Sequence, residues 1–310
     1  MSSGRKKQSA SKAMKSAERK FADKIRRYAE SHKASAADRS LFKDGLGYGR
    51  VCNTLLASDL WVRRKSSKFI GTALERIRSE NPILDFYFWT FTHERGHTSD
   101  RTPIVDLKYM RGAIDRTLRA QDLNSLTVIE FQGLGNHPGQ GAGRTIMTHG
   151  HSITWSSASL DYQKVEKQLN DSEHWKSDLG SVPIRIKPIT NADRELRYMA
   201  YYLFKPPYDV KMVETRTRGD RLKSTEKGYK PDFAARMLEL ESQLDIRELV
   251  RASGDGKYIK SEWLRRLTNL NRSREAWVPG VLPQYYFDDF WARYRVKKKR
   301  KHYEPFVIIR

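Results

Sequence analysis

Apolar residues in the middle of the chain follow two different periods. The segment DFYFWTFTH (85–93) is apolar on both of its faces, which is typical of a central, buried strand. In TPIVDLKYMRGAIDRTLRAQ (102–121), apolar residues recur at helical spacing, and the Thr-Pro pair predicts the start of a helix. The β-rich segments SLTVIEFQ (125–132) and RTIMTHGHSITW (144–155) flank a glycine-rich stretch. Together they predict a hairpin with a long loop over 133–143.

The pattern then alternates between helix and strand, and the chain becomes more polar towards both ends. Asn191 is predicted to be the N-cap of a helix that Pro206 and Pro207 end. Residues 1–45 form a polar, lysine-rich arm that is predicted to be partly helical. This order of elements predicts an α+β layer fold. The further predicted elements are helices over 50–80, 158–170 and 191–205, a strand over 181–190, and a mostly helical stretch over 231–270.

The net charge of the chain indicates which class of molecule it binds. The 310 residues include 59 lysines and arginines against 37 acidic residues, so the formal net charge is +22. A surface of this kind usually binds a polyanion, and the interleaved aromatic residues favour nucleic acid. The only cysteine is Cys52, which excludes an internal disulfide and a cysteine zinc cluster. No apolar run approaches the roughly 18 residues of a membrane span and the N-terminus resembles no signal peptide, so we expect a soluble, cytoplasmic protein.

Basic residues are concentrated in the N-terminal arm and near the C-terminus. Neither region carries residue types suited to catalysis. We expect both to supply affinity for DNA, because contacts with phosphates strengthen binding whatever the base sequence. The residues are Arg5, Lys6, Lys7, Lys12 and Lys15 in the arm, and Lys297, Lys298, Lys299, Arg300 and Lys301 in the tail.

Two histidines in the second strand of the predicted hairpin are candidate metal ligands. Strand side chains alternate, so His149 and His151 share one face, and Gly150 between them is expected to leave the opposite face open. Across the hairpin, Glu130 or Gln132 can lie close to them. Two imidazoles and one side-chain oxygen form a three-ligand metal site with open positions. The alternative is a pair of surface histidines, or a hydrogen-bonded pair in a core.

A second constellation lies in RYMAYYLFK (197–205). On a helix, Tyr198, Tyr201, Tyr202 and Lys205 fall at i, i+3, i+4 and i+7, which is a single face. These residues form either an aromatic stripe of the core or a catalytic group. Three phenols and a lysine are unusual in a core, because each hydroxyl needs a partner.

The order of these motifs resembles the HUH endonucleases, and most closely the rolling-circle replication initiators of plasmids and single-stranded DNA phages. The likeness consists of a strand ending in threonines (FYFWTFT), the pair HGH, and the Tyr202-x-x-Lys205 motif, and it covers about 85–205. Gly150 departs from the pattern, since the family usually has a bulky apolar residue there. The gap between Glu130 and His149 is also longer than usual.

The resemblance implies a ferredoxin-like fold with a central antiparallel sheet, in a nicking domain over 46–215 followed by a mostly helical basic region over 216–310. It implies that Mg²⁺ or Mn²⁺ binds to His149, His151 and Glu130, with Gln132 as the fallback ligand. Tyr202 would attack origin single-stranded DNA and keep the 5′-phosphate, with Lys205 assisting and Tyr198 as a possible second nucleophile. Tyr201 remains open as an alternative to Tyr202. The chain has no Walker-type loop, so a host helicase and polymerase are the expected partners in a bacterial host cell.

Three other functions stay open. An HUH transposase or a relaxase would use the same chemistry, although a relaxase usually has a third histidine, and His137 in the predicted loop fits that role poorly. A metal-dependent hydrolase would use the histidines without a covalent intermediate. A basic nucleic-acid-binding protein would have no catalytic activity.

Overall fold

Two long strands rich in β-branched residues form the centre of the computed structural model. The described residues are 9–31, 36–47, 54–138, 144–179, 181–207, 209–214, 221–274, 304 and 306–310; the predicted DNA-binding residues Arg5, Lys6, Lys7 and Lys297 to Lys301 lie outside them. Strands β4 (Asn124–Pro138) and β5 (Arg144–Ser156) pair antiparallel, which confirms the predicted hairpin.

The predicted glycine-rich loop is wrong in its first half, because β4 continues through Gly133 and Gly135. Both glycines are needed for packing and do not form a turn. A Cβ on Gly133 would lie 2.4 Å from the Phe233 ring, and one on Gly135 would lie 2.4 Å from the Met212 sulfur. The missing side chains therefore let neighbouring elements approach the strand closely.

The other strands of the described chain are β1 Asp85–Phe91, β2 His97–Ser99, β3 Ile104–Asp106, β6 Ile184–Pro188, β7 Asp209–Glu214, β8 Arg221–Gly228, β9 Val250–Ser253 and β10 Val307–Ile309. The main sheet is mostly antiparallel and has the order β6-β1-β5-β4-β7-β8. Strand β2 also pairs with β5, and β9 pairs with β4, whereas β4 and β7 run parallel. Strands β3 and β10 form a separate parallel pair.

Nine helices pack around the sheet in the described part of the chain, so the architecture is α+β as predicted. None of the helices described is long and apolar enough to cross a membrane. A short 3-10 turn, Glu94–Gly96, precedes β2. The helices are α1 Ala10–Ser31, α2 Ala36–Gly45, α3 Leu60–Glu80, α4 Leu107–Ala120, α5 Tyr162–Asn170, α6 Ala192–Phe204, α7 Pro231–Ser242, α8 Ile246–Leu249 and α9 Gly256–Arg272.

Helix α4 begins five residues later than the Thr-Pro signal predicts. The side chain of Asp106 accepts a hydrogen bond of 2.8 Å from the Tyr109 amide and caps the helix, while 104–106 pair with β10. A side-chain cap supplies the hydrogen bond that a free helical N–H lacks, so Asp106 fixes the start. Asn191 lies at the N-cap position of α6 as predicted, but its side chain makes no capping hydrogen bond.

The two ends of the described chain contribute to the main fold. Helix α1, in the predicted basic arm, buries Met14, Phe21 and Ile25 in the main hydrophobic cluster and packs against α7. In its described residues, the C-terminal region contains helices α7, α8 and α9 within the stretch predicted to be mostly helical, but it also contains β8, β9 and β10. Four-residue β9 is too short to show a strand period in the sequence, and its pairing with β4 becomes visible only in the sheet.

The face of β5 opposite the histidines is closed, which corrects the expectation of an open face at Gly150. Helix α4 packs there, and a Cβ on Gly150 would lie 2.5 Å from the Cδ1 methyl of Ile114. Ile114 is fully buried, so it has little room to move aside. Gly150 is therefore a packing requirement of the α4 interface.

We expect Gly150→Ala to lower the free energy of unfolding by about 1–3 kcal/mol through overpacking. Ile114→Val removes the Cδ1 methyl that the new Cβ would meet. In a double-mutant cycle followed by chemical denaturation, the alanine should therefore cost less in the Ile114→Val background than in the wild type.

Gly112→Ala, on helix α4 with Ile114, is the matched control. Its added Cβ would meet only the flexible end of Arg116, at 3.1 Å, so this change should be neutral or stabilise the helix by up to about 1 kcal/mol. An equal cost of Gly150→Ala in both Ile114 backgrounds would contradict the packing argument.

Candidate metal centre and tyrosine helix

The register of the central hairpin brings a carboxylate and two imidazoles together. Glu130 on β4 lies directly opposite His149 on β5, and His151 is two residues farther along the same face. All three side chains are buried. One potential ligand atom from each of the three lies within 4.8 Å of the other two. A buried group that could hold a metal ion therefore exists where the sequence predicted one, and Glu130 is its third potential ligand.

The distances between these atoms fit coordination of an ion. The Nε2 atoms of His149 and His151 are 3.1 Å apart, and His149 Nε2 lies 3.7 Å from Glu130 Oε2. Two nitrogen ligands on one ion, each about 2.0–2.1 Å away, would be separated by about 2.9–3.4 Å. Glu130 Oε1 is buried without a hydrogen-bond partner among the described residues. A cation between these side chains would satisfy that oxygen.

Gln132, the fallback ligand, is buried farther along β4. It lies opposite Met147 in the register, and its amide nitrogen donates a hydrogen bond of 3.3 Å to the Gly133 carbonyl. Glu130 is thus the side chain grouped with the histidines.

Burial makes the group electrically neutral before any ion binds. Desolvation raises the pKa of Glu130 to about 8 and holds the pKa values of His149 and His151 well below the ordinary range. Nearby Lys205 and Lys211 add to the lowering of both histidine pKa values and oppose the rise at Glu130. At neutral pH both rings are neutral and therefore able to bind a metal, whereas Glu130 must lose a proton first.

Two residues of β1 support the histidine pair from the neighbouring strand. Thr90 Oγ1 lies 3.1 Å from Nδ1 of His151, which is its register partner. Phe88 stacks on the His151 ring with centroids 5.2 Å apart. With Nδ1 donating to Thr90, Nε2 of His151 keeps its lone pair for an ion. Neither residue was predicted as part of the site, although both lie in the quoted FYFWTFT segment.

Tyr202 on helix α6 lies next to His151, and Lys205, directly after the helix, lies next to Tyr202. The Tyr202 ring lies edge-on to the His151 ring with centroids 5.0 Å apart, and edge-on to Phe88 at 5.5 Å. Lys205 Nζ lies 4.3 Å from the centroid of the Tyr202 ring. The Tyr202 ring therefore contacts both His151 and Lys205.

The other two tyrosines of α6 lie elsewhere on the helix. Tyr201 is only 5% exposed and belongs to the hydrophobic core, whereas Tyr198 is 40% exposed. Their rings contact one another, with centroids 5.6 Å apart. Tyr202 is thus the tyrosine of this helix whose ring packs on His151.

A buried ion pair, which no sequence pattern predicted, holds the end of α6. Arg63 on α3 donates to the Lys205 carbonyl at 3.1 Å and to Glu241 Oε1 at 2.6 Å. Desolvation raises the pKa of Glu241 to about 7, although Arg63 opposes the rise. Arg63 and Lys205 are 142 residues apart in sequence, so no local pattern could have indicated their contact.

No protein-family model, curated protein or solved structure matches this chain.

Glu130→Gln should act in opposite directions with and without metal. In the metal-free protein, the buried acid contributes a pH dependence because its folded pKa, about 8, exceeds the ordinary 4.5. Its favourable contribution to the free energy of unfolding is complete below about pH 4.5. This contribution is lost as the pH rises to about 8, with a slope of at most about 1.4 kcal/mol per pH unit. Glutamine removes this loss, so the variant should unfold at a higher temperature than wild type in EDTA at pH 8.

The same variant should gain less thermal stability from added Mn²⁺, because an amide replaces the anionic ligand. Glu173→Gln, at an exposed glutamate, is the control and should change neither quantity. If Glu130→Gln kept the full Mn²⁺-induced rise in melting temperature, Glu130 would not be a ligand.

Proposed function

We propose that this protein is a metal-assisted DNA nicking and joining enzyme of the HUH type, acting as an initiator of rolling-circle replication. The nucleophile in this proposal is Tyr202, and the metal ligands are Glu130, His149 and His151. The substrate is a single-stranded segment of a replication origin. The finer description of the fold, a ferredoxin-like HUH domain, belongs to the same proposal.

The contact of Tyr202 with His151 carries the proposal. A histidine pair alone is equally suited to a hydrolase that activates water. Here the phenol ring of Tyr202 lies against the His151 imidazole, with 5.0 Å between the ring centroids, and the Lys205 ammonium group lies 4.3 Å from the centroid of the Tyr202 ring. A phosphate bound at the histidines would be within reach of both groups, which is what attack by a tyrosine requires.

The reaction exchanges one phosphodiester for another. The Tyr202 oxygen forms a bond to phosphorus as the bond to the 3′-oxygen breaks, so the 5′-phosphate remains on the enzyme. The phenol proton leaves to solvent, and the released 3′-oxygen takes up a proton to become a hydroxyl. The positive charge of Lys205 favours both the phenolate and the charge that develops on the phosphate oxygens.

The buried triad would contribute Lewis-acid polarisation of the scissile phosphate when Mg²⁺ or Mn²⁺ is bound. Glu130 supplies the hard, anionic oxygen that these ions prefer. Thr90 and Phe88 fix the orientation of His151, and therefore where a phosphate would lie relative to Tyr202.

The proposed product explains the expected partners. A free 3′-hydroxyl can be extended by a polymerase, and continued synthesis needs a helicase to separate the strands. The net charge of +22 supports binding of the DNA backbone. The logarithm of the binding constant for duplex DNA should fall linearly with the logarithm of the salt concentration, with a slope of roughly 0.9 per phosphate contact.

Tyr202→Phe should abolish covalent attachment to DNA while leaving folding and DNA binding intact, because only the hydroxyl is removed. Overlapping single-stranded oligonucleotides from the replicon that encodes the chain are incubated with Mn²⁺. With a 3′ label, wild-type protein should acquire the label in a denaturing gel. With a 5′ label, a shortened strand should appear that a polymerase can extend.

Tyr198→Phe and Tyr201→Phe are the matched controls and should keep the adduct. An adduct that persists in Tyr202→Phe and disappears in one of the controls would move the nucleophile to that residue. Cleavage without an adduct in the wild type would indicate a hydrolase, and salt-sensitive binding without any cleavage would indicate a binding protein.

The double substitution His149→Ala/His151→Ala should reduce Mn²⁺-dependent cleavage by more than about 100-fold, beyond the loss typical of an outer-shell contact. Binding to duplex DNA, measured by fluorescence anisotropy, should remain nearly unchanged, since both histidines are buried. Metal-dependent cleavage retained by this variant would rule out the triad as the catalytic metal centre.

A further inference from the structure

A second group of metal-ligating side chains lies apart from the proposed catalytic triad. It consists of His97, His137 and Asp178, one potential ligand atom of each lying within 4.8 Å of the others. His97 is the first residue of β2, and His137 is near the end of β4. Asp178 lies in the segment between α5 and β6. Three chain segments far apart in sequence therefore meet at this point.

The polar atoms of this group point towards one another. Asp178 Oδ1 lies 2.9 Å from His97 Nδ1, and Asp178 Oδ2 lies 3.5 Å from His137 Nε2. The two imidazole rings are edge-on, with centroids 5.5 Å apart. The carboxylate thus faces both rings, one oxygen towards each.

The hydrogen bonds of His137 define which of its nitrogens is free to bind an ion. The Thr145 hydroxyl donates its one proton to the His137 carbonyl at 2.9 Å and lies 3.2 Å from His137 Nδ1. With Nδ1–H donating to this hydroxyl, Nε2 carries the lone pair that a metal ion needs. Nε2 faces the Asp178 carboxylate, so an ion between the two could bind both.

The ring nitrogens of His97 lack well-directed hydrogen bonds within the described part of the chain. Its side chain is only 6% exposed, and Nε2 has no hydrogen-bond partner among the described residues. The close approach of Nδ1 to Asp178 is poorly directed for a hydrogen bond. Leaving the buried Nδ1 without a well-directed hydrogen bond costs free energy, which a cation bound by Nδ1 and Asp178 would offset.

The backbone around the group is already held in place. Leu179, next to Asp178, is buried with Leu134 and Met147 in a small hydrophobic cluster. The amide of Glu94 donates to the Lys176 carbonyl at 2.9 Å, which ties the segment before Asp178 to the turn before His97. The ligands are therefore largely preformed, as a specific site requires.

We propose that His97, His137 and Asp178 form a second metal site, one for a transition-metal dication such as Zn²⁺. Two imidazoles and one carboxylate are a common ligand set for zinc. The ion joins β2, the end of β4 and the segment after α5. Asp178 is 42% exposed, so the ion keeps a solvent-facing position. This site is independent of the proposed DNA chemistry, because it uses none of the residues assigned to it.

The test counts zinc ions bound per chain. The untagged full-length protein is stripped with a chelator and titrated with Zn²⁺ by calorimetry, with elemental analysis of the bound metal. Wild type should bind two ions. His137→Ala/Asp178→Asn should bind one, and so should His149→Ala/His151→Ala. The variant that combines all four substitutions should bind none at micromolar concentrations.

His174→Ala and Asp171→Asn, both at exposed residues of the same segment, are the matched controls and should bind two ions. His137 and Asp178 are partly exposed, so their replacement is compatible with folding, which circular dichroism checks. In the His149→Ala/His151→Ala background, Co²⁺ should give visible absorption bands that His97→Ala removes. If His137→Ala/Asp178→Asn bound as many ions as the wild type, the proposal would be overturned.

Discussion

The antiparallel register between β4 and β5 is the constraint on which the arrangement of this molecule depends. In that register Glu130 meets His149 on one face, while Gly150 meets helix α4 on the other. A register shift of one residue would turn the imidazoles towards helix α4, where they would meet Ile114. The same strand positions β2, since His97 pairs with Met147. Both histidine–carboxylate groups therefore depend on how β5 pairs with its neighbours.

The proposed catalytic centre is buried and lies close to positively charged side chains. Lys205, Lys211 and Arg63 all lower the pKa of Glu130, although burial outweighs them. A dication at this point would be repelled by the same groups, because charges interact strongly where water is excluded. A DNA phosphate would offset that repulsion. On the proposed function, metal and DNA binding would then be coupled, each increasing the affinity for the other.

Patterns of local origin were predictable from the sequence. Strand alternation placed His149 and His151 on one face, and the hairpin placed Glu130 across from them. Features that depend on a neighbouring element were not. The strand pattern alone does not indicate what fills the space beside Gly150, and only the position of α4 shows that Ile114 fills it. The glycines at 133 and 135 favour a loop for the same reason, since nothing in the local sequence indicates that Phe233 and Met212 pack there.

Helix geometry alone could not distinguish Tyr201 from Tyr202, and the contact of α6 with the sheet and core does. Tyr201 is buried in the core, whereas Tyr202 packs on His151 and Phe88.

Helix α6 ends at Phe204, and Lys205 already has extended backbone angles before Pro206. The end of a helix leaves carbonyls without partners, and their partial negative charge would lie beside the site where a phosphate is proposed to bind. The Arg63 guanidinium donates to the Lys205 carbonyl there, and Glu241 holds that guanidinium in place. The buried Arg63–Glu241 pair therefore fixes the backbone of Lys205 and offsets the negative helix end next to Tyr202.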